Sequence, residues 1–238
     1  MRNSDLAKAP FFSFCIKMMQ IFVLYSAFVF AEPSPYILVT QPKAGTTLIS
    51  TLLNMIHEER PRHLFCHYDK KFRSEMIVDS WQKGRMPILH LFNPQFTYNY
   101  LLNTHHGFKF VVIVRDIRDA YVSYAHFICK DPTLSEEEMI NKAFQDSGYF
   151  AMSGFLCNFL NHPRFYVVRF EDLVGPQGGG SKERQTEAIF NLAAYIDCPI
   201  SKEQASVYGG MLFGHKQSGT FRRGQIGSWR QVLNLEQK

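Results

Sequence analysis

The chain has 238 residues, of which 46% are hydrophobic and 20% are charged, and its formal net charge is +5. This balance is typical of a globular protein that can bury a substantial core, and it excludes a disordered chain and an ordinary multi-span membrane protein. The basic residues are spread out except at Arg222 and Arg223, and no basic run interleaves with aromatic residues. The composition therefore disfavours a nucleic-acid partner and suits a small anionic ligand.

The amino-terminal segment has the pattern of a targeting signal rather than of a folded element. Residues 1–17 carry three basic side chains, and the run from Met18 to Ala31 is nearly all apolar. That run is shorter than the ~20 residues of a membrane span, and it ends with small residues where a signal peptidase cuts. We therefore expect residues 1–31 to be a signal-peptide-like segment that exports the protein or, if uncleaved, anchors it to a membrane. If the start is misassigned, the alternative is a cytoplasmic protein.

The first predicted strand leads directly into a turn that suits an anion. An apolar run from Tyr36 precedes the turn Pro42-Lys43-Ala44-Gly45-Thr46-Thr47, and an amphipathic run from Leu48 to Ile56 follows it. This pattern predicts a strand, a tight loop and a helix. The unpaired N–H groups and the dipole at the start of a helix favour an anion, and the turn adds an ammonium and two hydroxyls. The turn predicts a phosphate site, although its lysine precedes its glycine and so does not form a Walker A motif.

The elements that follow alternate between helices and strands. We expect Arg60–Arg73 to be a polar, histidine-rich loop, Ser74–Gln82 to be a helix and Pro87–Phe92 to be a buried strand. Residues 95–104 can form a helix. The run Phe108–Val114 predicts the clearest strand, because a nearly continuous β-branched sequence is typical of a parallel strand covered on both faces.

The second half of the chain continues this alternation. Ser135–Glu138 is a capping box that opens a helix, and Gly175–Ser181 is predicted to be a flexible, glycine-rich insertion. The other predicted elements are helices at Asp116–Cys129 and 146–160, a strand at Arg164–Phe170, a helix at Glu183–Ile196 and a shorter helix after Ser201.

The alternation predicts an α/β fold, a three-layer domain in which helices flank a parallel sheet, over residues 36–238. Ligands of such folds lie beyond the carboxyl ends of the strands. The predicted strand ends carry a group of charged residues, namely Lys43, His90, Arg115, Glu171 and Asp172. We therefore expect the functional site at this rim.

Neither a disulfide framework nor a metal site is expected. The five cysteines are odd in number and include no C-x-x-C pair,. His63, Cys66 and His67 form a compact cluster, but no further ligand is evident, so we interpret them as part of a polar loop.

Four segments carry a recognisable combination of motifs. They are Pro42–Thr47 (PKAGTT), Val114–Ser123 (VRDIRDAYVS), Arg169–Leu173 (RFEDL) and Phe221–Trp229 (FRRGQIGSW). In their order and spacing they resemble the cytosolic-type sulfotransferase family, and the resemblance covers the whole predicted domain. It implies a P-loop nucleoside-triphosphate-hydrolase-like fold and the co-substrate 3′-phosphoadenosine 5′-phosphosulfate. It also implies transfer of the sulfuryl group to a small-molecule or glycan acceptor without a metal.

The resemblance also implies roles for individual residues. Lys43 would stabilise the departing oxygen, His90 would deprotonate the acceptor as the general base, and Ser123 would modulate Lys43. The implied donor-binding residues are Lys43, Ala44, Gly45, Thr46 and Thr47 for the 5′-phosphosulfate, Arg115, Ser123, Arg222, Arg223 and Gly224 for the 3′-phosphate, and Phe170, Ser206 and Tyr208 for adenine.

The chain departs from the family at three of the relevant positions. Phe170 stands where tyrosine is common, and Leu48 stands where many members have an adenine-stacking tryptophan. His90 follows Ile88-Leu89 instead of the family's lysine and threonine. If His90 is not the base, Glu or His residues in the 57–72 loop are the substitutes.

The arginines near the third predicted strand also allow an interpretation without a ligand. A buried guanidinium needs an anion, and Asp116 or Asp119 could supply it to Arg115 in place of a phosphate. Arg118 lies opposite the apolar positions of its helix and is expected to be solvated.

Two other functions remain open from the sequence. One is a P-loop kinase for a small hydroxyl compound, which would need a nucleoside triphosphate and magnesium. The other is a catalytically inactive protein that binds a 3′-phosphoadenosine nucleotide, which the altered motif around His90 makes plausible. The sequence identifies neither the acceptor nor the oligomeric state.

Overall fold

A computed structural model describes residues 34–57, 62–66, 74–90, 94–104, 106–145, 147–214 and 222–234. The signal-peptide-like segment, His67 and Phe221 lie outside these residues. No helix in the described ranges is both long and apolar enough to cross a membrane.

The described strands form one five-stranded sheet in the order β2-β3-β1-β4-β5, and every neighbouring pair is parallel. This confirms the predicted α/β fold with a parallel sheet. The strands are β1 (Tyr36–Thr40), β2 (Arg62–Cys66), β3 (Arg85–His90), β4 (Lys109–Val114) and β5 (Phe165–Arg169). The direction of strand order reverses at β1, which lies between β3 and β4, so the crevice beyond the end of β1 is where a ligand is expected.

The central strands are apolar along their whole length because helices cover both of their faces. In β1, Ile37 and Val39 pack into one hydrophobic cluster, whereas Leu38 packs into the other. In β4, Val112 and Val111 divide in the same way. Successive strand residues point to opposite faces, so these two clusters are the two interfaces of a three-layer domain.

The helices divide between the two faces. The described helices are α1 (Thr46–His57), α2 (Ser74–Gln82), α3 (Pro94–Thr104), α4 (Ile117–Ile128), α5 (Glu136–Phe144), α6 (Ser147–Leu160), α7 (Phe170–Leu173), α8 (Lys182–Tyr195) and α9 (Lys202–Leu212). α1, α8 and α9 contribute to the cluster that contains Leu38, whereas α2 to α6 contribute to the cluster that contains Val39. Ser135 and Glu138 form the predicted capping box at the start of α5.

Two expectations about connecting segments are wrong. The predicted loop Arg60–Arg73 contains β2, whose backbone pairs with β3 from Arg62 to Cys66. Its apolar run is only three residues long, Leu64 to Cys66, which is too short to predict a strand, and β2 lies at the edge of the sheet, where a longer run is not required,. The segment Gly175–Ser181, which was predicted to be a flexible insertion, contains a short 3₁₀-helix, Pro176–Gly178, and Gly178 is buried.

Candidate anion site at the carboxyl ends of the strands

The turn after β1 is built around two residues with left-handed backbone. Lys43 has φ +69° and Gly45 has φ +111°. Ala44 N–H donates to the Gln41 carbonyl at 3.1 Å, and Gly45 accepts the first helical hydrogen bond of α1 from Ile49 N–H at 3.1 Å. A Cβ at position 45 would lie 2.7 Å from the Phe170 ring. The close approach of the turn to this ring therefore requires glycine.

The start of α1 offers hydrogen-bond donors to an anion. Thr46 and Thr47 open the helix, where the first N–H groups have no partner within the helix,. The Thr46 hydroxyl is buried and makes no hydrogen bond to any part of the protein that the structure describes. A buried hydroxyl without a partner is costly, so a ligand oxygen at this position would satisfy it.

Lys43 lies among other cations. Burial lowers the pKa of Lys43, and the charges of Arg115 and Arg222 lower it further. Its Nζ is 4.8 Å from the centroid of the Phe127 ring, a cation–π distance,. An anion bound here would relieve the repulsion between these positive charges.

Arg115 follows β4 and connects two segments. Its Nη1 donates to the Lys43 carbonyl at 3.3 Å, and its Nη2 donates to the Gln225 carbonyl at 3.1 Å. The guanidinium carbon lies 4.1 Å from the centroid of the buried Phe170 ring. Burial lowers the pKa of Arg115, and the charges of Asp119 and Glu171 oppose this. Its Nε is buried and has no hydrogen-bond partner among the residues described.

Neither aspartate considered as a counter-ion forms an ion pair with Arg115. Asp116 pairs with Arg118 at 2.8 Å and caps α4, and both Asp119 oxygens accept hydrogen bonds from the segment that contains Ser228. Within the described ranges, Arg115 therefore has carbonyl partners but no carboxylate at ion-pair distance. It keeps the capacity to bind an external anion.

The segment 222–229 places two more arginines beside this rim. Arg222 is half-buried, and its Nη1 donates to Glu136 Oε1 at 3.2 Å. Burial and the charge of Arg223 lower the pKa of Arg222. Arg223 is exposed, and Gly224 has a left-handed φ of +62°. The Gly224 carbonyl would lie 2.7 Å from a Cβ at Gly178, so the two glycines allow these segments to pack closely.

His90 ends β3 directly beside the end of β1. Thr40 and His90 are paired in the sheet register, and Thr40 Oγ1 lies 3.1 Å from His90 Nδ1. His90 is half-buried, whereas Thr40 is fully buried. The histidine is thus fixed one strand away from the Lys43 turn.

The remaining predicted residues lie on α4, on α9 and at the start of α7. Ser123 lies half-buried on α4, the helix that follows Arg115, and Ser206 lies half-buried on α9. Tyr208 is buried and accepts a hydrogen bond from Gln204 Nε2 at 2.8 Å. Phe170 is 5% exposed and contacts Arg115 and the turn at Gly45. Adenine binding by Phe170, Ser206 and Tyr208 stays a prediction.

Sequence reasoning missed the groups that hold the segment 222–229. Glu136 was interpreted only as part of a capped helix end, and Asp119 only as a counter-ion for Arg115. Arg118 has a partner that its expected solvated position does not suggest, because its guanidinium carbon lies 3.6 Å from the Trp229 ring centroid. These contacts join residues about a hundred positions apart, and no local pattern announces them.

Three comparisons with known proteins find similarity to sulfotransferases. Residues 33–207 match the sequence profile of the sulfotransferase domain family. Sulfotransferase 6B1 of Danio rerio is 26% identical over 142 residues, and the match covers 51% of this chain and 45% of that relative. The chain thus covers less than half the length of this curated relative. The crystal structure of mouse sulfotransferase SULT7A1 complexed with PAP has a TM-score of 0.62 and 15% identity, and the match covers 90% of this chain and 83% of the mouse chain. The mouse structure confirms the fold.

Proposed function

We propose that this chain, which belongs to the sulfotransferase domain family, transfers the sulfuryl group of 3′-phosphoadenosine 5′-phosphosulfate to a hydroxyl or amine acceptor by in-line displacement. The observation that carries the proposal is the position of Arg115. Its guanidinium contacts both the Lys43 turn and the segment 222–229, so two cationic anion sites share one residue. A donor with phosphate groups at both its 5′ and 3′ positions would occupy both sites.

The residues at the rim fit such a donor. The buried Thr46 hydroxyl and the buried Arg115 Nε both lack hydrogen-bond partners among the described residues, and they belong to the two proposed sites. The 5′-phosphosulfate would lie against Ala44, Gly45, Thr46 and Thr47 at the start of α1, where N–H groups and the helix dipole favour an anion. Arg115, Ser123, Arg222, Arg223 and Gly224 would hold the 3′-phosphate.

Lys43 would act on the group that leaves. The donor supplies the sulfuryl group, and negative charge develops on the bridging oxygen that the group leaves behind. A half-buried ammonium directed at that oxygen stabilises this charge in the transition state more than in the ground state. Burial and the charges of Arg115 and Arg222 lower the pKa of Lys43, and a bound anion would offset this repulsion and stabilise the ammonium,. In this proposal Ser123 modulates Lys43 while it also contacts phosphate.

His90 would take the proton from the acceptor. The 3.1 Å contact with Thr40 Oγ1 involves Nδ1. In the proposed arrangement Nδ1 carries the hydrogen and donates it to Thr40 Oγ1, so that Nε2 is the nitrogen that accepts the proton,. His90 and Lys43 follow neighbouring strands, so the acceptor would enter between them, opposite the departing oxygen,.

Two other functions are weaker alternatives. A small-molecule kinase would place its lysine after the glycine of the turn, whereas Lys43 precedes Gly45 here,. A nucleotide-binding protein without activity would keep the two phosphate sites and lack a working base. Calorimetry with adenosine 3′,5′-bisphosphate, compared with ATP and magnesium, separates the kinase from the other two.

The test of the proposed function is transfer from radiolabelled donor to acceptor mixtures. Lys43→Ala and Arg115→Ala are expected to reduce transfer by about 10²-fold or more, because each removes a charge that offsets negative charge in the transition state. Arg164→Ala is the matched control. Arg164 also donates to a carbonyl, that of Leu102, at 3.0 Å, and its guanidinium carbon lies 4.9 Å from the centroid of the Phe110 ring. It directly precedes β5 and so lies at the amino end of a strand, away from the proposed site. Transfer that survives in both rim variants would contradict the proposal.

We further propose that residues 1–31 direct the protein to an exported or membrane-anchored location, with cytoplasmic residence as the alternative. The apolar run that ends at Ala31 supports this,. Mass spectrometry of the mature amino terminus tests it. An intact Met1 together with a soluble cytoplasmic protein would overturn the proposal.

A further inference from the structure

Asp119 is a fully buried carboxylate whose hydrogen-bond donors all come from one segment of the chain. It is 1% exposed. Its Oδ2 accepts a hydrogen bond from Gly227 N–H at 2.6 Å, and its Oδ1 accepts from Ser228 Oγ at 2.8 Å and from Trp229 N–H at 3.1 Å. All three donors belong to three consecutive residues of the segment 222–229. An ionised group taken out of water is costly unless such hydrogen bonds compensate it, so these contacts are strongly specified.

Asp119 does not act as an ordinary counter-ion. In the part of the chain that the structure describes, no lysine or arginine lies at ion-pair distance from it, and Arg118 pairs with Asp116 instead. Asp119 lies in the first turn of α4, where the helix dipole favours its negative charge,. The carboxylate is therefore held by the helix on one side and by the segment on the other.

The segment 222–229 makes further contacts, including contacts with residues just after the end of β4. Ile226 N–H donates to the Gly178 carbonyl at 2.9 Å, and the Gln225 carbonyl accepts from Arg115 Nη2 at 3.1 Å. Trp229 is buried, with the guanidinium carbon of Arg118 3.6 Å from its ring centroid. Arg115 lies in the connection from β4 to α4, and Asp119 follows it in the first turn of α4. One short stretch of chain thus both supplies an anion-binding arginine and anchors the segment that supplies the others.

We infer that Asp119 is a positioning residue for the proposed 3′-phosphate site, since it holds the segment 222–229 so that Arg222, Arg223 and Gly224 face Arg115. This inference rests on the proposed function, because it takes the segment to bind the 3′-phosphate. It adds a residue whose hydrogen bonds go to the segment rather than to a ligand. In the part of the chain that the structure describes, Asp119 makes no hydrogen bond to the Lys43 turn, which connects β1 to α1.

A pair of ligands separates this role from a general contribution to stability. Adenosine 5′-phosphate has no 3′-phosphate for the segment to bind, whereas adenosine 3′,5′-bisphosphate carries a phosphate for each proposed site. Asp119→Asn removes the charge and replaces one accepting oxygen with an amide that faces the Gly227 N–H. We expect this variant to weaken the bisphosphate by about 10- to 100-fold and adenosine 5′-phosphate by less than about twofold, as measured by calorimetry.

Asp131→Asn is the control, because Asp131 also accepts hydrogen bonds from a backbone N–H and a hydroxyl, both of Thr133, and none from the segment. It should leave the ratio of the two affinities unchanged. If Asp119→Asn does not fold, Ser228→Ala removes one of the three donors and should still lower the ratio by about two- to fivefold.

Equal weakening of both ligands by Asp119→Asn, or an unchanged ratio in both the Asp119 and Ser228 variants, would overturn the inference. The proposed function fails in a different way, in the unmodified protein. A wild-type protein that binds the bisphosphate no more tightly than adenosine 5′-phosphate would overturn the two-site proposal itself, and the inference with it.

Discussion

Lys43 shows how a single residue can be prepared for an anion by its neighbours. It has a left-handed backbone, its carbonyl accepts from Arg115, and its ammonium is half-buried beside Phe127. Burial and the charges of Arg115 and Arg222 lower its pKa. The protein thus tolerates an unfavourable charge that a phosphate would stabilise, which is a common property of binding sites.

The lowered pKa predicts a pH dependence of ligand binding. A bound phosphate raises the pKa of Lys43 again, so the free protein must take up a proton on binding once the pH exceeds the lowered value. Affinity for adenosine 3′,5′-bisphosphate should therefore fall as the pH rises through the lowered pKa of Lys43 towards 10.5, the ordinary value for lysine. Lys43→Arg keeps its charge over this range and should give a flatter profile. Calorimetry at several pH values checks this, and identical slopes for the two proteins would contradict it.

At the scale of an element, the turn between β1 and α1 depends on the absence of a side chain. Gly45 combines a φ of +111° with a ring 2.7 Å from the position of an added Cβ. α1 begins at the next residue, Thr46, so the shape of the turn decides where the first N–H groups of the helix point,. The neighbouring α6 supports the turn through Tyr149, whose hydroxyl donates to the Pro42 carbonyl at 3.0 Å.

Gly45→Ala should therefore destabilise the protein more than a comparable change elsewhere. Gly84→Ala is the matched control, because Gly84 also has a positive φ, +67°, but has nothing within 4 Å of an added Cβ. We expect a loss of about 1–2 kcal/mol for Gly84→Ala from backbone strain alone. Gly45→Ala should lose about 2–4 kcal/mol, because overpacking against Phe170 adds to the strain. Urea unfolding measures both, and equal losses would show that the ring moves away without cost.

At the scale of the whole molecule, Glu136 joins three parts of the chain. It opens α5, lies 2.7 Å from His126 Nε2 on α4, and accepts from Arg222 at 3.2 Å. Burial by itself would raise the pKa of Glu136, but the hydrogen bond with His126 and the nearby positive charges outweigh it and lower the pKa. The ionised form is therefore the form that stabilises the fold.

This shift predicts how stability depends on pH. A carboxylate whose folded pKa lies below its unfolded value stabilises the protein above the unfolded value, near pH 4.5, and loses this effect as the pH falls further,. The free energy of unfolding of the wild type should exceed that of Glu136→Gln at pH 6, and the difference should shrink below about pH 4.5. Glu137→Gln, at the exposed neighbouring position, is the control. Denaturant unfolding at each pH tests this, and a difference that grows towards low pH would contradict it.

The parts of the fold that the sequence predicts well are those whose cause is local. The predicted strand Phe108–Val114 is nearly all apolar because helices cover both of its faces,. The start of α5 was predictable because the two residues of a capping box, Ser135 and Glu138, lie three positions apart,. β2 escaped prediction because its apolar run is only three residues long. The anchor at Asp119 escaped it because its three partners lie 108 to 110 residues away, and nothing near an aspartate states which distant segment it will hold.

The sequence predicted the charged residues at the carboxyl ends of the strands, but it did not predict the contacts that hold the segment 222–229 beside them. Lys43, His90 and Arg115 lie at or just after the carboxyl ends of strands. Neighbouring parallel strands place these ends at the same edge of the sheet, so the three residues were expected to lie together,. Arg222 and Arg223 reach the rim only through tertiary contacts. Motif resemblance placed them near a phosphate, but the groups that hold them became visible only in the structure.

The contact between Arg115 and Gln225 joins residues 110 positions apart. During synthesis on the ribosome, the sheet strands and the Lys43 turn emerge well before the segment 222–229. A growing chain can thus assemble its sheet before the segment that carries Arg222 and Arg223 has docked. Under the proposed function, full affinity for a two-phosphate nucleotide would arise only after this docking, so nascent or prematurely terminated chains would not sequester the nucleotide.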